Sequence, residues 1–303
     1  MIFDSGSSSE QLISTRQIAE LVQSQLNSIA SELRPDVLAA LRSAQQQESC
    51  PQAAKTLEML VENARLAADT GVPLCQDTGT VWVLLEIGVQ LQVDLRGLQG
   101  ALDAVVADSF AQHCLRASTV RDALSNRGNP GTNTPAFVDI VSLAEAGDES
   151  DYSLSVHTML KGAGSDNASA LTMLSPGSGE EEIVQLVLDL VREKASNACP
   201  PLIIGIGIGG TFDKVAGLSK RALLRPLNQT VDQAASSDMT AGLEQRILQQ
   251  VNTTNIGPAG LGGKTTALAV HIETAPSHIA SLPAAINLCC HSLRSRSSVI
   301  TVC

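Results

Sequence analysis

Aromatic residues make up only 2% of the 303-residue chain, with one Trp and one Tyr. A core so poor in rings must be built from Leu, Ile, Val and Ala, and a hydrophobic content of 44% is enough to build a sizeable one. Stacking platforms for nucleic-acid bases are lacking for the same reason. Positive charge is also scarce: 20 Lys and Arg stand against 31 Asp and Glu, a net charge of -11, and no basic cluster stands out. Such a chain repels phosphate backbones, so nucleic acid is excluded as a partner. No apolar run approaches the roughly 20 residues that a membrane helix needs. The opening "MIFDSGSSSE" lacks the basic and apolar segments of a secretory signal and the arginines of a transit peptide. The expectation is a soluble, cytoplasmic protein away from any membrane.

Cysteine is present but unsuited to a disulfide framework. Seven residues, Cys50, Cys75, Cys114, Cys199, Cys289, Cys290 and Cys303, are an odd number and widely spaced. Taken singly, most read as small buried hydrophobes.

Length alone suggests about two domains, yet no repeat or clean linker divides the chain. Apolar residues recur at helical spacing from Leu12 to Leu33, and Pro35 interrupts them. Further helices are expected over Asp36–Gln46 and about Ala53–Ala68, the latter ending at Gly71. "TVWVLLEIG" reads as a buried strand, and Val93 to Gln112 largely as a helix. "AFVDIVSL" and "YSLSVHTML" read as strands joined by the turn "AGDES". Helices over Glu180–Ala195, Phe212–Leu224 and about Ala241–Val251 alternate with the strands "PLIIGIGIGG", "ALAVHIETA", "AAINLCC" and "SVITV". The segment "NQTVDQAASSDMT" is a polar connector. The fold class is therefore mixed α/β, with a helical N-terminal part followed by mixed sheets with helices. Residues 1–10 are expected to be a disordered tail and 11–303 one catalytic domain, helical over 11–71 and α/β over 72–303.

Three motifs fail on their context. "FDSGSS" and "QDTGTV" imitate the paired carboxylates of an aspartic protease, but helices fill the interval and Asp4 has no chain before it to form a strand. "GIGIGG", Gly205 to Gly210, sits between a strand and a helix as a dinucleotide site requires. The segment after that helix, "RPLNQTVDQAASS", is not the second strand such a unit needs. Its glycines still permit close approach of a ligand or partner. "GLGGKTT" has Pro258 where a phosphate loop needs glycine, and a strand rather than a helix follows.

Cys75, Cys199 and Cys290 each lie at the boundary of an element, where side chains from separate segments can face a shared cleft. Three converging thiolates could hold an iron–sulfur cluster, although dispersed spacing says little by itself. The blocks "PLCQDTGT", "LRAS", "NTPA", "KGAGSDNASAL", "NACPPLIIGIGIGGTFDKVAGLSKRALLR", "GPAGLGGKTTALAVHIE" and "APSHIASLPAAINLCCH" carry more. In this order, over about Ile18 to His291, the chain resembles the α subunit, or N-terminal catalytic domain, of class I iron–sulfur fumarate hydratases, a family that includes L-tartrate dehydratase. The resemblance implies an iron–sulfur hydro-lyase α-subunit fold and a four-iron four-sulfur cluster held by Cys75, Cys199 and Cys290. One iron is left open to act as a Lewis acid on the substrate's hydroxyl.

The same resemblance places Asp77 and His278 among the catalytic residues, and Gln76, Arg116, Lys161, Gly162 and Gly164 at the substrate. Gln76 would donate to a carboxylate, Asp77 would act as general acid or orient water, and the planar fork of Arg116 would grip a carboxylate. Arg121 is the fallback for Arg116. Cys289 and Cys290 are adjacent on a strand, where side chains face opposite ways, so Cys289 is read as packing. Cys50, Cys114 and Cys303 have no family counterpart. Two departures stand out: Ala163 replaces a glycine of K-G-G-G-S and would be strained at positive φ, and Thr132 stands where Asp is common.

The resemblance further implies a β subunit carrying the base and more carboxylate-binding groups, an α2β2 assembly, and no activity of this chain alone. "KGAGS" and "GIGGTFDK" look like the fumarate type, which puts interconversion of (S)-malate and fumarate, a reaction of the tricarboxylic acid cycle, ahead of L-tartrate or another 2-hydroxy acid such as methylmalate. The reading of another class is an orphan subunit that binds a cluster without catalysis.

Overall fold

The computed structural model describes residues 12–227 and 238–302. The expected tail over 1–10, most of the connector at 228–240 and Cys303 lie outside the described residues. In chain order the elements are α1 (Thr15–Ile29), α2 (Pro35–Gln47), α3 (Pro51–Thr70), β1 (Thr80–Ile87), α4 (Leu98–Gln112), β2 (Phe137–Ser142), β3 (Ser153–Lys161), α5 (Ala163–Asn167) and β4 (Ala170–Leu174). There follow α6 (Glu180–Lys194), β5 (Leu202–Gly209), α7 (Phe212–Ala222), α8 (Asp238–Thr253), β6 (Ala267–Ala275), β7 (Leu282–Cys289) and β8 (Arg294–Thr301). Short 3-10 turns lie at Glu149–Tyr152, Ala195–Ala198 and Pro258–Gly260. The mixed α/β class expected from the sequence is the one observed. Among the described residues no helix is long and apolar enough to cross a membrane.

The chain divides into two units. One comprises Met1–Ser28, Thr80–Met159 and Arg296–Cys303; the other comprises Ile29–Gly79 and Leu160–Ser295. Most of α1 therefore belongs to the first unit and α2 and α3 to the second, so the N-terminal helices make no body of their own.

The first unit is built on the sheet β2-β1-β3-β8. β1 and β2 are parallel, with Trp82 opposite Phe137 and Ile87 opposite Ser142, and α4 supplies the crossover that parallel neighbours require. The amphipathic face of α1 buries Ile18, Val22 and Leu26. Its buried Gln25 donates to Val156 O (3.0 Å) and Ser298 Oγ (3.0 Å) and accepts from Thr158 Oγ1 (2.6 Å), so no polar group of its amide is wasted. β2 and β3 are not the hairpin that the turn "AGDES" suggests, because β1 lies between them. That turn instead winds around the buried Asp151, whose carboxylate accepts the N–H groups of Ala146 and Gly147, each at 2.8 Å.

The second unit is built on the sheet β4-β7-β5-β6, in which β5 and β6 are parallel and β7 is antiparallel to β5 and β4. β5 is buried on both faces, which explains its continuous apolar run. On one face Ile204 and Ile206 join Ile183, Val187 and Val191 of α6 and Ile247 and Val251 of α8 in the main core. On the other face the glycines of "GIGIGG" let α7 lie directly on the strand. A Cβ at Gly205 would stand 2.1 Å from Ser219 O, and one at Gly207 2.4 Å from Val215 O. The motif therefore serves helix–sheet packing rather than a dinucleotide. "KGAGSDNASAL" holds an element that periodicity did not reveal: the one-turn α5 followed by β4, which pairs with β7.

His271, in the middle of β6, is buried with neither ring nitrogen hydrogen-bonded in the protein. Burial, then the charges of Arg225 and Arg34, push its pKa down to about 3, against the weaker pull of Asp36. A histidine neutral in the fold and near 6.5 when unfolded makes the unfolded state bind the extra proton between these values. Stability held above pH 6.5 is thus lost as pH falls through that window, by about 1.4 kcal/mol per pH unit. Urea unfolding at pH 7 and pH 5.5 should show this loss, and His271→Leu should remove about that much of the slope.

Candidate active site

Four segments of the second unit meet at one end of its sheet. Antiparallel pairing sets Cys289, the last residue of β7, opposite Ile203 near the start of β5. Cys290 and Cys199, just outside those strand ends, therefore fall at the same edge. His291 seals the junction: its backbone N–H (3.3 Å) and its Nδ1 (3.0 Å) both donate to Cys199 O. Cys199 has φ +53 and ψ +67, a left-handed conformation uncommon for a residue with a Cβ. The glycine-rich loop after α8 supports this turn, since Ala259 N donates to Pro200 O (2.8 Å) and Gly260 packs on Ser196. Its Lys264 N–H is taken by Glu48 (2.7 Å), so "GLGGKTT" braces the start of α3 and cradles no phosphate.

Cys75 arrives on a loop held by α3 and the end of α1. Leu74 donates to Ala30 O (2.9 Å) and accepts from Asn63 Nδ2 (3.0 Å). The next residues cross the chain after β3. Asp77 Oδ2 accepts Ala163 N–H (2.9 Å), Asp77 Oδ1 accepts Gly79 N–H (3.1 Å), and Asp77 O accepts Arg294 Nη2 (2.7 Å). The crossing is so close that only glycine fits at residue 79: its φ is +76, and a Cβ would stand 2.3 Å from Lys161 O. The fourth segment, α5, lies against the Cys199 turn, where a Cβ at Gly164 would stand 3.0 Å from Asn197 O. Gly162 likewise faces Asp77 Oδ2, so both glycines serve contacts within the protein. Ala163 is helical and not at positive φ, and carries no strain.

The thiols feel one another. Burial raises the Cys199 pKa, and the charges of Cys290, Cys75 and Asp77 raise it further. Cys290 is held well below the ordinary thiol value by a hydrogen bond from Cys289, then by His291, Ser292 and Arg294; Cys289 is pushed up correspondingly. Cys290 Sγ also lies 3.1 Å from Ser292 Oγ. β7 ends at Cys289, which is buried, and Cys290 just beyond the strand is half-buried.

Other expected residues are placed differently. Gln76 is exposed beside Cys75. Lys161 is buried, with Nζ donating to Leu288 O (2.6 Å) and Ser165 Oγ (3.2 Å) and lying 3.6 Å from Asp166 Oδ1. His278 is exposed in the loop before β7, whereas Cys290 follows the end of β7. Twelve residues looked close in sequence, but eight of them are extended strand and hold the two ends roughly 23 Å apart. Arg116 and Arg121 belong to the first unit, on the loop after α4, and both are exposed. That loop is organised by the buried Asn133, whose Oδ1 accepts the N–H groups of Ser118 (2.7 Å) and Thr119 (3.1 Å); Thr132 bonds Thr134 (2.7 Å).

The family model described as fumarate hydratase (Fumerase) matches residues 19–299. The chain belongs to this family. Among relatives, a Methanocaldococcus jannaschii protein provisionally named L(+)-tartrate dehydratase subunit alpha is 36% identical over 277 residues, covering 90% of this chain and 94% of the relative. The L(+)-tartrate dehydratase subunit alpha of Escherichia coli strain K12 is 28% identical over 288 residues, covering 95% and 92%. Membership in this hydro-lyase family makes the cysteine edge of the second unit the place to seek its chemistry.

The residues present suit an iron–sulfur cluster. Thiols are the ligands such clusters take, and Arg294, buried beside them, has an Nε–H with no partner in the protein. Among the described residues no three His, Cys, Asp or Glu side chains close on one point as ligands of a single ion would. Cluster thiolates need not do so, since each binds a different iron. Arg294 was not legible in the sequence, where "HSLRSRSS" reads as polar surface.

Gly79→Ala tests the crossing of the Cys75 loop. The substitution should destabilise the chain by at least ~2 kcal/mol through strain and the clash with Lys161 O, read as a lowered urea midpoint. Gly97→Ala, at a positive φ with open space around it, should cost clearly less.

Proposed function

We propose that this chain is the α subunit of an iron–sulfur hydro-lyase that removes water from a four-carbon 2-hydroxydicarboxylate. The observation that carries the reading is the gathering of the Cys75, Cys199 and Cys290 segments at one sheet edge, where His291 ties the Cys290 turn to Cys199 O and Asp77 ties the Cys75 loop to Ala163 N. A four-iron four-sulfur cluster bound there by these three thiolates would supply a Lewis-acidic iron that polarises the carbon–oxygen bond to be broken. Metal binding takes thiols as thiolates and releases their protons.

The chain's own residues orient and exclude. Gln76, exposed next to Cys75, is free to donate its amide to a substrate carboxylate. Asp77 has both carboxylate oxygens engaged by backbone N–H groups; this suits a fixed acceptor that orients water or a hydroxyl better than a proton donor. Arg116, on the first unit, carries a planar fork of the kind that suits a carboxylate. Lys161, Gly162 and Gly164 position the segments rather than bind substrate, and His278 takes no part in this chain's set.

The base and further carboxylate partners are expected on a β subunit, in keeping with relatives that are named subunit alpha and that match this chain along nearly their whole length. Two substrates fit the class. The names of the relatives favour L-tartrate, and the blocks "KGAGS" and "GIGGTFDK" favour malate and fumarate. The two acids differ by one hydroxyl on C3, so the pocket wall decides between them.

Anaerobic reconstitution with the β chain, followed by kcat/KM on L-tartrate and on (S)-malate, tests this. Enzyme-like turnover of one acid is expected, and it should require the β chain. Cys75→Ser, Cys199→Ser and Cys290→Ser should each remove cluster and activity together, whereas Cys289→Ser should keep most of both. A cluster without activity on any 2-hydroxydicarboxylate would favour the orphan-subunit reading. Full activity in Cys75→Ser would sink the assignment.

A further inference from the structure

Two of the largest fully buried side chains in the described structure are cations, Lys161 and Arg294, only 1% and 2% exposed. Removing a charge from water costs several kcal/mol unless a partner compensates. Lys161 has a partial answer in Leu288 O, Ser165 Oγ and the exposed carboxylate of Asp166. Arg294 does not. Among the described residues no carboxylate lies within ion-pair distance of its guanidinium. Nη2 donates to a neutral carbonyl, Asp77 O, and Nε–H is unspent. A guanidinium left in this state lacks its anion.

The neighbours show where that anion belongs. Asp77 O lies two residues after Cys75, and Leu288 O, gripped by Lys161, lies two residues before Cys290. Each cation thus ties down a segment that carries a proposed ligand. The charges of both also reach Cys289, beside Cys290. Three thiolates assembled here would form the negative group that the buried cations lack.

We propose that Lys161 and Arg294 are positioning residues of the cluster site, Arg294 as the buried counter-charge to the three thiolates and Lys161 as the brace that holds the Cys290 strand end. The inference rests on the cluster reading above. With a cluster bound, Arg294 Nε–H has sulfur acceptors within its own unit to serve. Its positive charge favours the more negative, one-electron-reduced cluster over the oxidised one.

The test uses the full chain, reconstituted anaerobically with iron and sulfide. Wild type, Lys161→Met, Arg294→Met and Arg294→Lys are compared for iron and sulfide per chain, for iron loss to a chelator, and for midpoint potential by dithionite titration followed by electron paramagnetic resonance. Arg294→Met should disfavour cluster reduction about tenfold, a shift of about 59 mV to lower potential for one electron. Arg294→Lys, which keeps the charge and loses the fork, should stay within threefold of wild type in that equilibrium while losing iron faster. Lys161→Met should lose iron faster and shift the potential the same way by a smaller factor. A merely structural role moves iron loss but not potential. Variants loaded to wild-type level with unchanged potential overturn the inference alone. Wild-type chain that takes up no cluster overturns the cluster reading and this inference with it. Should Arg294→Met fail to fold, the pair Arg294→Lys and Lys161→Met decides the outcome.

Discussion

The crossing of residues 75–79 over Lys161 and Gly162 is the constraint on which the rest of the site depends. Two backbones pass so closely that the Cβ of any residue at 79 would overlap Lys161 O. From that contact the arrangement propagates in both directions. Asp77 bonds across to Ala163, which fixes α5; α5 meets the Cys199 turn through Gly164; and Lys161, the residue being crossed, reaches the strand end before Cys290. Cysteines at 75, 199 and 290 are thereby brought to one edge by backbone contacts, before any metal is considered. The cost appears at Cys199, with its positive φ, and at the buried Arg294, whose Nε–H has no partner in the protein. Strain and unpaired buried charge of this kind persist where function requires them.

The same contacts separate what the residues do from what their proximity in sequence suggests. Asp77-Thr78-Gly79 has the look of a catalytic tripeptide, yet its carboxylate braces a neighbouring loop and its glycine exists for clearance. Gly205 and Gly207 have the look of a nucleotide loop and are the seat of α7. "GLGGKTT" is tied to Glu48 and to the Pro200 turn. In each case glycine permits the approach of protein to protein.

The elements with strong periodicity were legible: the amphipathic α1, the apolar β5, and the end of α3 at Gly71, whose φ of +72 and bond to Ala67 O are those of a left-handed cap. What escaped was non-local. β4 is a short strand of mixed pattern that exists because β7 offers it an edge. β2 and β3 are neighbours in sequence, but β1 takes the place between them, and no turn signal encodes that preference. The three cysteines and Asp77 could be nominated from their blocks, while Arg294 could not, since an arginine in a serine-rich run, here with Arg296 two residues on, is nearly always solvated.

His278 shows most clearly how strand geometry limits a reading by spacing. A separation of twelve residues would be short in a helix or a loop, but β7 is straight and rises about 3.3 Å per residue, so the histidine and Cys290 are driven to opposite ends of one strand. The loop around it is exposed, with Ile279 93% exposed, and Ala280 N donates to its Nδ1 (3.1 Å). Within this chain the electrostatics of the site fall instead to groups buried behind the thiols. Buried charge is screened by water far less than exposed charge, and Lys161 and Arg294, 1% and 2% exposed, are the cations so placed beside the Cys290 strand end.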